Sequence, residues 1–527
     1  MAGVTLLILS KPFVDFSVSG LENPLSHLAV ALFVGILFNR EESRQKAFLL
    51  GLTLSMAALS RLDMILLLGP MSLSLLLPKR RWEYLAMFAF GTAPLVVWEL
   101  FSVWYYGFPV PNTAYAKLAA GISSAHLVHQ GEIYLWNAVT RSPLTAVVIV
   151  VAAFNYLFRV RNVRYLLATI GVLLYLLYIV RVGGDFMSGR FVTPVYVLAV
   201  MLLIVAPPSM PRWGKLLGLL LLFSLGLLTP GNPILAGKSY GTGPEGSDWD
   251  SGISDERAAY YPTTGMLNNF GLPDPPQHPW AQLGRNLRAS DTTLWERPGT
   301  GFLGFFAGPE IYIIDRQGLS DPLLSRLPIP TPNKWRIGHF NRELPKGYLE
   351  TLRSGTSQLE NPYLAKYYSR LALITRGDLW SKERLRVIWQ MNRGDFDSLL
   401  VKYWQRPLHH VKYSEIDQPK KRGTRFNAPG CLLMTPTGIL IELDSVTLTR
   451  RLEISVDGND RYQVTFIKED AARQHVILQP PRPALPGLRI DTVDVADSTS
   501  AQGYDKLFVK PAAGDSTYSL GHVRFID

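Results

Sequence analysis

Apolar and polar positions divide the chain into two halves of similar size. Residues 1–231 are mostly apolar with leucine-rich blocks, whereas residues 232–527 mix apolar residues with many Pro, Gly, Asp and Arg, as soluble domains do. Because one membrane-spanning helix needs roughly 20 apolar residues, the first half predicts a polytopic α-helical bundle of about eight spans. The candidate spans are 22–39, 47–61, 64–78, 83–106, 141–158, 164–181, 191–207 and 214–230.

The short basic connections between these runs predict the orientation of the bundle. The segments "NREESRQK", "KRR", "RVRNVR" and "PRWGK" carry most of the loop Lys and Arg and fall on alternate connections. The positive-inside rule places them in the cytoplasm of a multi-pass plasma-membrane protein. The outward segments are then Met1–Leu21, Arg61–Asp63, Gly107–Thr140, Arg181–Arg190 and the whole chain after Pro230.

In the second half of the chain, the pattern of apolar and polar residues changes near residue 425. Residues 232–424 mix strand-like and helix-like runs, which indicates an extracytoplasmic α/β domain. Residues 425–527 are short alternating strands separated by "DGND" or by Pro and Gly turns. That pattern is typical of a β-sandwich of jelly-roll type, which fold-level analogy makes a candidate carbohydrate-binding module. The predicted domains are therefore 1–231, 232–424 and 425–527.

Composition narrows the classes of function. The formal net charge of +11 fits contact with anionic lipid head groups or acidic ligands. No basic stripe with interleaved aromatic residues is present, so nucleic acid is not an expected partner. The single cysteine, Cys431, excludes an intramolecular disulfide and any cysteine-based zinc site.

Side chains that could take part in catalysis or substrate binding lie in four outward segments. The segment "DFSVSGLENPL" carries Asp15, Glu22 and Asn23 at the start of the first span, and "RLD" carries Arg61 and Asp63. The segments "YYGFPVPNTAYAKL" and "RVGGDFMSGR" add the residues Asn112, Tyr115, Lys117, Arg181, Asp185 and Arg190.

These residue types suit sugar transfer from a lipid phosphate. Guanidinium forks match phosphate oxygens, glycines let backbone approach a ligand, and a carboxylate can take a proton from a hydroxyl. The alternative interpretation is structural: a flexible glycine loop capped by a local Arg–Asp salt bridge. Composition alone does not decide between the two.

Three of these motifs resemble a known superfamily. The segments "SGLENPL", "YYGFPVPNTAYAKL" and "RVGGDFMSGRF" are similar to the GT-C glycosyltransferases that use polyprenyl-phosphate sugars, and within them to the terminal arabinofuranosyltransferases of mycobacteria. The segments "GFLGFFAGPEIYIIDRQGLSDPLLSR" and "GHFNRELPKGYLETL" look like their extracytoplasmic part. The resemblance implies transfer of a sugar, arabinofuranose, from a polyprenyl-phosphate donor to a cell-wall arabinan acceptor on the outer face of the lipid bilayer.

One departure from the family pattern concerns the catalytic acid. Such enzymes carry an acidic pair, of the type Asp-Asp-Ala-Phe, in the first outward loop, and this chain has no such motif. The topology also places the N-terminus outside, although "MAGVTLLILS" is neither a signal peptide nor a full span. We therefore expect an N-terminally truncated relative of a longer protein, in which case the main base lies upstream.

The chemistry of the side chains suggests a role for each candidate residue in such a reaction. Arg181 and Arg190, with Lys117 as a weaker third, are expected to bind the donor phosphate. Asp185, Glu22 and Asp63 are the candidate catalytic carboxylates. The candidate substrate contacts are Asp15, Asn23, Arg61, Asn112, Tyr115 and His339. No metal site or other cofactor is identified from the sequence, and a divalent cation stays an open requirement.

Two other classes remain as alternatives. A polytopic transporter is disfavoured because no inverted repeat is found and almost no ionisable residue lies at mid-membrane depth. A non-catalytic cell-envelope assembly protein that keeps the fold remains an alternative because the acidic motif is missing from this chain. The sequence leaves open the donor sugar, the linkage and its stereochemistry, and the oligomeric state.

Overall fold

The structure is a computed structural model of the chain. It contains two compact units, each assembled from two stretches of sequence. The first unit comprises Met1–Ser102 and Gln130–Gln282, and the second comprises Val103–His129 and Leu283–Asp527. The described residues are 2–118, 122, 124–158, 162–229, 231–232, 234–235, 251–297, 300–327, 329, 337–404, 409–426, 428, 430–435, 437–481, 487–514 and 518–526.

The apolar half of the chain folds into helices throughout its described length. Each candidate span coincides with one helix, or with two consecutive ones, because the leucine-rich runs consist mostly of good helix formers. The helices are α1 Ala2–Leu9, α2 Lys11–Ser17, α3 Asn23–Asn39, α4 Arg44–Ser60, α5 Met64–Ser72, α6 Arg81–Gly91, α7 Ala93–Tyr105, α8 Asn112–Leu118, α9 Ser124–Arg141, α10 Pro143–Phe158, α11 Val163–Arg181, α12 Thr193–Val205 and α13 Arg212–Leu227.

Glycines let several of these helices pack backbone against backbone. A Cβ at Gly51 of α4 would collide with the carbonyl oxygen of Phe88 in α6, and one at Gly91 would collide with that of Phe48. Gly171 of α11 lies equally close to α5. Small residues at such crossings are typical of helix packing in membranes. Apart from α7 and α8, these helices share one apolar core that includes Val30, Phe33, Leu50, Leu67, Tyr175 and Leu198.

Length and composition bound the number of membrane spans. Among the described residues, only α11 is by itself long and apolar enough to cross a membrane. Two pairs of consecutive helices are also long and apolar enough when each pair is counted as one bent span. They are α6 with α7, bent by 43°, and Leu127–Arg141 with Pro143–Tyr156, bent by 104°. Shorter apolar helices are Asn23–Asn39, Met64–Leu76 and Arg190–Val205. The described part thus holds one to three spans by this criterion, and the count of eight stays a prediction.

The middle of the chain is mostly helical with one small parallel sheet. Strands β1 Leu294–Glu296 and β2 Tyr312–Ile314 pair in parallel. In the second unit the surrounding core includes Ile314, Leu324, Tyr348 and Leu371. The helices of this region are α14 Glu256–Thr264, α15 Met266–Asn269, α16 Pro279–Arg288, α17 Gly301–Ala307, α18 Tyr348–Ser354, α19 Pro362–Arg376, α20 Lys382–Asn392 and α21 Asp397–Trp404.

The C-terminal region forms two sheets, as the alternating pattern predicts. The order is β3-β5-β10-β7-β8 in one sheet and β4-β11-β6-β9 in the other, and both line one apolar core. Strand β3 precedes the predicted boundary at 425 and pairs with β5. The jelly-roll connectivity stays a prediction. The elements are β3 His409–Lys412, β4 Leu432–Met434, β5 Ile439–Thr447, β6 Arg451–Asp457, β7 Arg461–Lys468, β8 Ala471–Leu478, β9 Leu488–Asp494, α22 Asp497–Gln502, β10 Tyr504–Ala513 and β11 Tyr518–Phe525.

Candidate functional site

Three segments that are distant in sequence meet in the first unit. Glu22 lies just before α3, Arg61 and Asp63 lie between α4 and α5, and Asp185 and Arg190 lie between α11 and α12. Their side chains form a continuous set of ion pairs, which we call the arginine–carboxylate cluster. The cluster unites five of the residues that the sequence singled out.

Arg190 joins two of the carboxylates through one guanidinium. Its Nη2 donates to both oxygens of Glu22, at 2.8 and 2.9 Å. Its Nη1 donates to Asp185 Oδ2 at 3.0 Å. Arg190 Nε is buried and has no hydrogen-bond partner among the described atoms. One donor of the fork is therefore left over after the two ion pairs.

Arg61 completes the cluster from the opposite side of Glu22. Its Nη1 donates to Glu22 Oε1 at 3.2 Å, and its Nε and Nη2 bind both oxygens of Asp63. The guanidinium also lies 4.2 Å from the centre of the Phe191 ring. Two arginines and three carboxylates give the cluster a formal charge of −1, so both cations are already neutralised.

Exposure distinguishes the three carboxylates. The side chain of Asp185 is only 2 % exposed and that of Asp63 is also buried, whereas Glu22 is 22 % exposed. Asp185 further accepts a hydrogen bond from the backbone N–H of Phe186 at 2.9 Å. Glu22 is therefore the carboxylate of the cluster that a substrate can reach most easily.

A tyrosine and two glycines shape the loop that carries Asp185 and Arg190. The Tyr134 hydroxyl donates to the Met187 carbonyl at 3.1 Å and accepts from the Phe191 N–H at 3.0 Å. Gly184 has φ +71°, and a Cβ there would collide with the Tyr134 side chain. Gly189 has φ +77° and lies against Pro12. The glycines of this motif thus serve close approach of backbone to protein side chains.

Asn23 is placed behind the cluster, not at its open side. Its side chain is fully buried, and Nδ2 donates to the Arg190 carbonyl at 3.3 Å and to Thr193 Oγ1 at 3.0 Å. His27 Nε2 bonds the same hydroxyl at 2.9 Å. Asn23 therefore positions the backbone of Arg190.

Asp15 belongs to a separate group of ion pairs in the same unit. Lys11 Nζ lies 2.5 Å from Asp15 Oδ2 and 2.9 Å from Asp255 Oδ2. Asp255 also caps α14 by accepting from the Ala258 N–H. This group connects α2 with the segment after residue 250, and sequence reasoning missed its Lys11 and Asp255 members.

Arg181 is not part of the cluster. It is the last residue of α11 and is exposed, and among the described residues none bonds its side chain. Three residues separate it from Asp185, so both belong to the same connection. Its guanidinium stays available to an anion, and its predicted role in donor binding stays a prediction.

The remaining predicted site residues lie in the second unit. Asn112 donates to the Ser320 carbonyl at 3.4 Å and accepts from Arg326 Nη1 at 3.3 Å. The Arg326 guanidinium lies 4.3 Å from the centre of the Tyr115 ring. Lys117 lies beside Gly338, next to His339. These four predicted residues occupy one region of that unit.

Buried arginines hold this region in place, and sequence reasoning missed them. Arg384 donates to the carbonyls of Trp104 and Tyr105, both at 2.7 Å. Arg342 donates to the Ala116 carbonyl at 2.6 Å and to three carbonyls elsewhere in the same unit. Their partners are backbone oxygens, which leave no signature in a sequence. Arg384 lies in a helix with several other charged residues and Arg342 lies in a loop, so neither stands out in the sequence.

A metal site needs several His, Cys, Asp or Glu side chains close together in the described part of the chain. No group of three or more His, Cys, Asp or Glu side chains in that part of the chain is arranged to hold a metal ion. The carboxylates of the arginine–carboxylate cluster are bonded to guanidiniums instead.

The charge state of Glu22 gives a testable pH dependence. Burial alone would raise the pKa of the Glu22 carboxyl, but the charges and hydrogen bonds of Arg190 and Arg61 lower the pKa below its ordinary value. A lowered folded-state pKa adds stability above the ordinary pKa, and this stability is lost as the pH falls through the folded-state value.

We expect Glu22→Gln to lower the thermal midpoint by a few degrees at pH 7 and by progressively less as the pH falls below about 4.3, the ordinary pKa of Glu. The matched control is Glu310→Gln, which changes an exposed carboxylate. Thermal unfolding of both variants between pH 3.5 and 8 checks the expectation, using roughly one measurement per half pH unit. A Glu22→Gln deficit that is the same at every pH would contradict it.

Comparison with known proteins gives two relatives. One is the terminal beta-(1->2)-arabinofuranosyltransferase of Mycobacterium tuberculosis, 27 % identical over 428 residues, which covers 65 % of this chain and 66 % of the relative. The other bears the same name in Corynebacterium glutamicum and is 26 % identical over 259 residues, covering 42 % of this chain and 38 % of the relative. No family model matches the chain.

These relatives confirm the resemblance to terminal arabinofuranosyltransferases that the sequence motifs indicate. The chain is similar to enzymes named terminal arabinofuranosyltransferases, which are glycosyltransferases. It spans about two-thirds of the mycobacterial relative's length and less than two-fifths of the corynebacterial one's. The predicted truncation at the N-terminus stays a prediction.

Proposed function

We propose that this chain is a multi-pass plasma-membrane glycosyltransferase that moves arabinofuranose from a polyprenyl-phosphate donor to an arabinan acceptor on the outer face of the membrane. The observation that carries the proposal is the convergence of the three outward segments into one arginine–carboxylate cluster at the ends of apolar helices. The similarity to named arabinofuranosyltransferases supports the same reaction.

The reaction needs a base and a cation close together. The bond between the anomeric carbon and the donor phosphate oxygen breaks, and a bond from the acceptor hydroxyl oxygen to that carbon forms. The hydroxyl proton goes to a base, and the negative charge stays on the departing polyprenyl phosphate. A carboxylate and a guanidinium fork supply the two roles.

Within the cluster, Glu22 fits the base and Arg190 fits the phosphate fork. Glu22 is the most exposed of the three carboxylates, and Arg190 retains a buried Nε without a partner. A phosphate that takes hydrogen bonds from Arg190 would replace Glu22 on that guanidinium. The released carboxylate would lose the charge that lowers its pKa and would become a stronger base.

The other cluster members would keep their contacts when a phosphate replaces Glu22 on Arg190. Arg61 remains bonded to Asp63 through two hydrogen bonds, so Glu22 keeps one cationic neighbour when Arg190 is taken. Asp185 is buried and holds Nη1 of Arg190, which fixes the direction of the fork. Asp185 and Asp63 are therefore proposed as positioning residues.

A transfer assay tests the proposal. The purified chain in detergent is given polyprenyl-phosphoryl arabinofuranose and a short arabinan acceptor, with the mycobacterial relative as the positive control. We expect elongation of the acceptor by one sugar, detected by mass. Transfer only by the relative would contradict a catalytic role for this chain, and transfer from a different sugar donor would correct the sugar.

A non-catalytic envelope assembly protein is the second candidate. The observation that favours it is that every carboxylate of the cluster is already bonded to an arginine. Such a protein would bind the donor lipid or the polymer without turnover. Saturable donor binding combined with no transfer in the assay above would support this candidate.

A further inference from the structure

A short segment of the first unit exposes large apolar side chains. In the segment Gly265–Leu272, which we call the apolar turn, Phe270 is 86 % exposed and Met266 is 77 % exposed. Leu267 and Leu272 are exposed as well. Scattered exposed apolar residues are ordinary, but four of them within seven positions form a patch of the kind that marks an interaction surface.

The polar side chains of the apolar turn are directed inward. Asn269 Nδ2 donates to the carbonyls of Thr263 and Gly265, both at 2.9 Å, and its Oδ1 accepts from the Gln277 N–H at 3.3 Å. Asn268 Nδ2 donates to the Tyr261 carbonyl at 3.2 Å. The usual arrangement of a water-exposed turn is therefore reversed.

Four of the eight backbone N–H groups of the apolar turn donate to carbonyls within the turn or in the preceding helix. The N–H groups of Asn268 and Asn269 both donate to the Gly265 carbonyl, at 3.0 and 3.1 Å, and Leu272 N–H donates to Asn269. Gly265 N–H donates to the Tyr261 carbonyl at 2.8 Å. These bonds lower the number of backbone groups that would lose a hydrogen bond to water on entering an apolar medium.

The apolar turn follows a segment that is attached to the outward end of the helices. Ser254 N–H donates to the Phe186 carbonyl at 2.7 Å, and Ser188 N–H donates to the Ser254 carbonyl at 2.9 Å. The neighbouring Asp255 pairs with Lys11. Both attachments lie at the connection between α11 and α12 or at α2, where the apolar runs end. The turn begins ten residues later, after α14.

We propose that the apolar turn inserts into the outer leaflet of the lipid bilayer, at the boundary between head groups and acyl chains. Its exposed side chains are Met, Leu and Phe, which carry no hydrogen-bonding group that could recognise a polysaccharide. Burial of an apolar face at this boundary is how interfacial segments bind membranes. The proposal rests on the membrane location proposed above, and it does not depend on sugar transfer.

The single cysteine makes a direct test practical. Cys431 is replaced by alanine, and new cysteines carry a spin label at one position in each variant. The variants are Phe270→Cys in the turn, Leu177→Cys on the exposed side of α11 as the lipid control, and Arg473→Cys on β8 as the water control. The full chain is reconstituted in vesicles of neutral and anionic phospholipid, and collisions with oxygen and with a nickel chelate are measured.

We expect the ratio of oxygen to nickel collisions at position 270 to be several-fold higher than at 473 and comparable with that at 177. If position 177 lies in lipid while 270 matches 473, the turn is in water and the proposal is overturned. If 270 is shielded from both agents, the turn packs against protein and the proposal is equally overturned. If 177 and 270 both match 473, the membrane location proposed above fails with it.

Discussion

Replacing Arg190 with alanine is expected to lower the rate of transfer by about a hundredfold or more. The variant removes the only guanidinium that contacts both Glu22 and Asp185 within the described part of the chain. Losing one preorganised donor to a developing negative charge costs about 10²–10³ in rate in other enzymes. The measurement is the initial rate of acceptor elongation at saturating donor, together with the donor concentration that gives half the maximal rate.

The same substitution also affects stability, so folding has to be measured beside transfer. Asp185 is almost fully buried and would be left without its cation. Breaking a buried ion pair by removing one partner costs about 3–5 kcal/mol. We therefore expect Arg190→Ala to lower the thermal midpoint, which by itself would not distinguish a structural from a catalytic role.

Arg190→Lys separates the two roles. Lysine keeps the charge that Asp185 and Glu22 need but lacks the planar fork that binds two partners at once. We expect this variant to recover most of the lost thermal stability while transfer stays at least about tenfold below the unmodified chain. Normal turnover by Arg190→Ala would contradict the assignment, and parallel recovery of stability and transfer by Arg190→Lys would assign Arg190 a structural role.

The cluster shows how far a sequence can predict a site in a helical bundle. All five members of the cluster were named from the sequence, because the positive-inside rule predicts which helix ends lie on the same side of a membrane. They are Glu22, Arg61, Asp63, Asp185 and Arg190. Their pairing was not predictable in detail. It depends on which helices are neighbours and on how far each is rotated, and those are results of core packing between segments far apart in sequence.

The roles of individual residues were less predictable than their location. Asn23 lies behind Arg190 with its side chain fully buried, and Asp15 pairs with Lys11 in a separate group. In the loop of the "RVGGDFMSGR" motif, Gly184 and Gly189 accommodate Tyr134 and Pro12. In a sequence, a glycine that admits a ligand and a glycine that admits a neighbouring side chain look the same.

The C-terminal sheets followed from the alternation of apolar and polar residues, since each strand has one face in a shared core. The middle of the chain was harder to predict. Its packing depends on arginines that donate to backbone carbonyls instead of pairing with acidic side chains. The charge pattern of the sequence therefore does not predict these contacts. Those arginines matter because they hold the segment 104–117, one of the motifs on which the resemblance rests.

Replacing Arg384 with methionine is expected to produce the largest loss of stability in the second unit. The side chain is 0 % exposed, and its guanidinium donates to the carbonyls of Ile374, Trp104 and Tyr105 at 2.7–2.8 Å. The last two residues end α7, where carbonyl oxygens have no partner within the helix and a cation is favoured by the helix dipole.

Methionine fills most of the volume but leaves three buried carbonyls without a donor. Each such group costs about 1–3 kcal/mol, and because these costs are not additive we expect a total of about 3–5 kcal/mol. In a unit of this size that corresponds to a fall of the thermal midpoint by about 10 °C. We also expect faster hydrogen exchange of the amides that follow α7, since the end of this helix loses its attachment to α20.

A matched control lies two residues away on the same helix. Arg386 is exposed on α20, so Arg386→Met changes the same side chain and the same charge without removing the buried bonds. Its thermal midpoint should stay within a degree or two of the unmodified chain, as surface substitutions usually do. Arg384→Lys should fall between the two, because an ammonium group can reach at most some of the three carbonyls. Equal midpoints for Arg384→Met and Arg386→Met would show that the buried guanidinium does not stabilise this unit, and the role assigned to it in holding the segment 104–117 would have to be withdrawn.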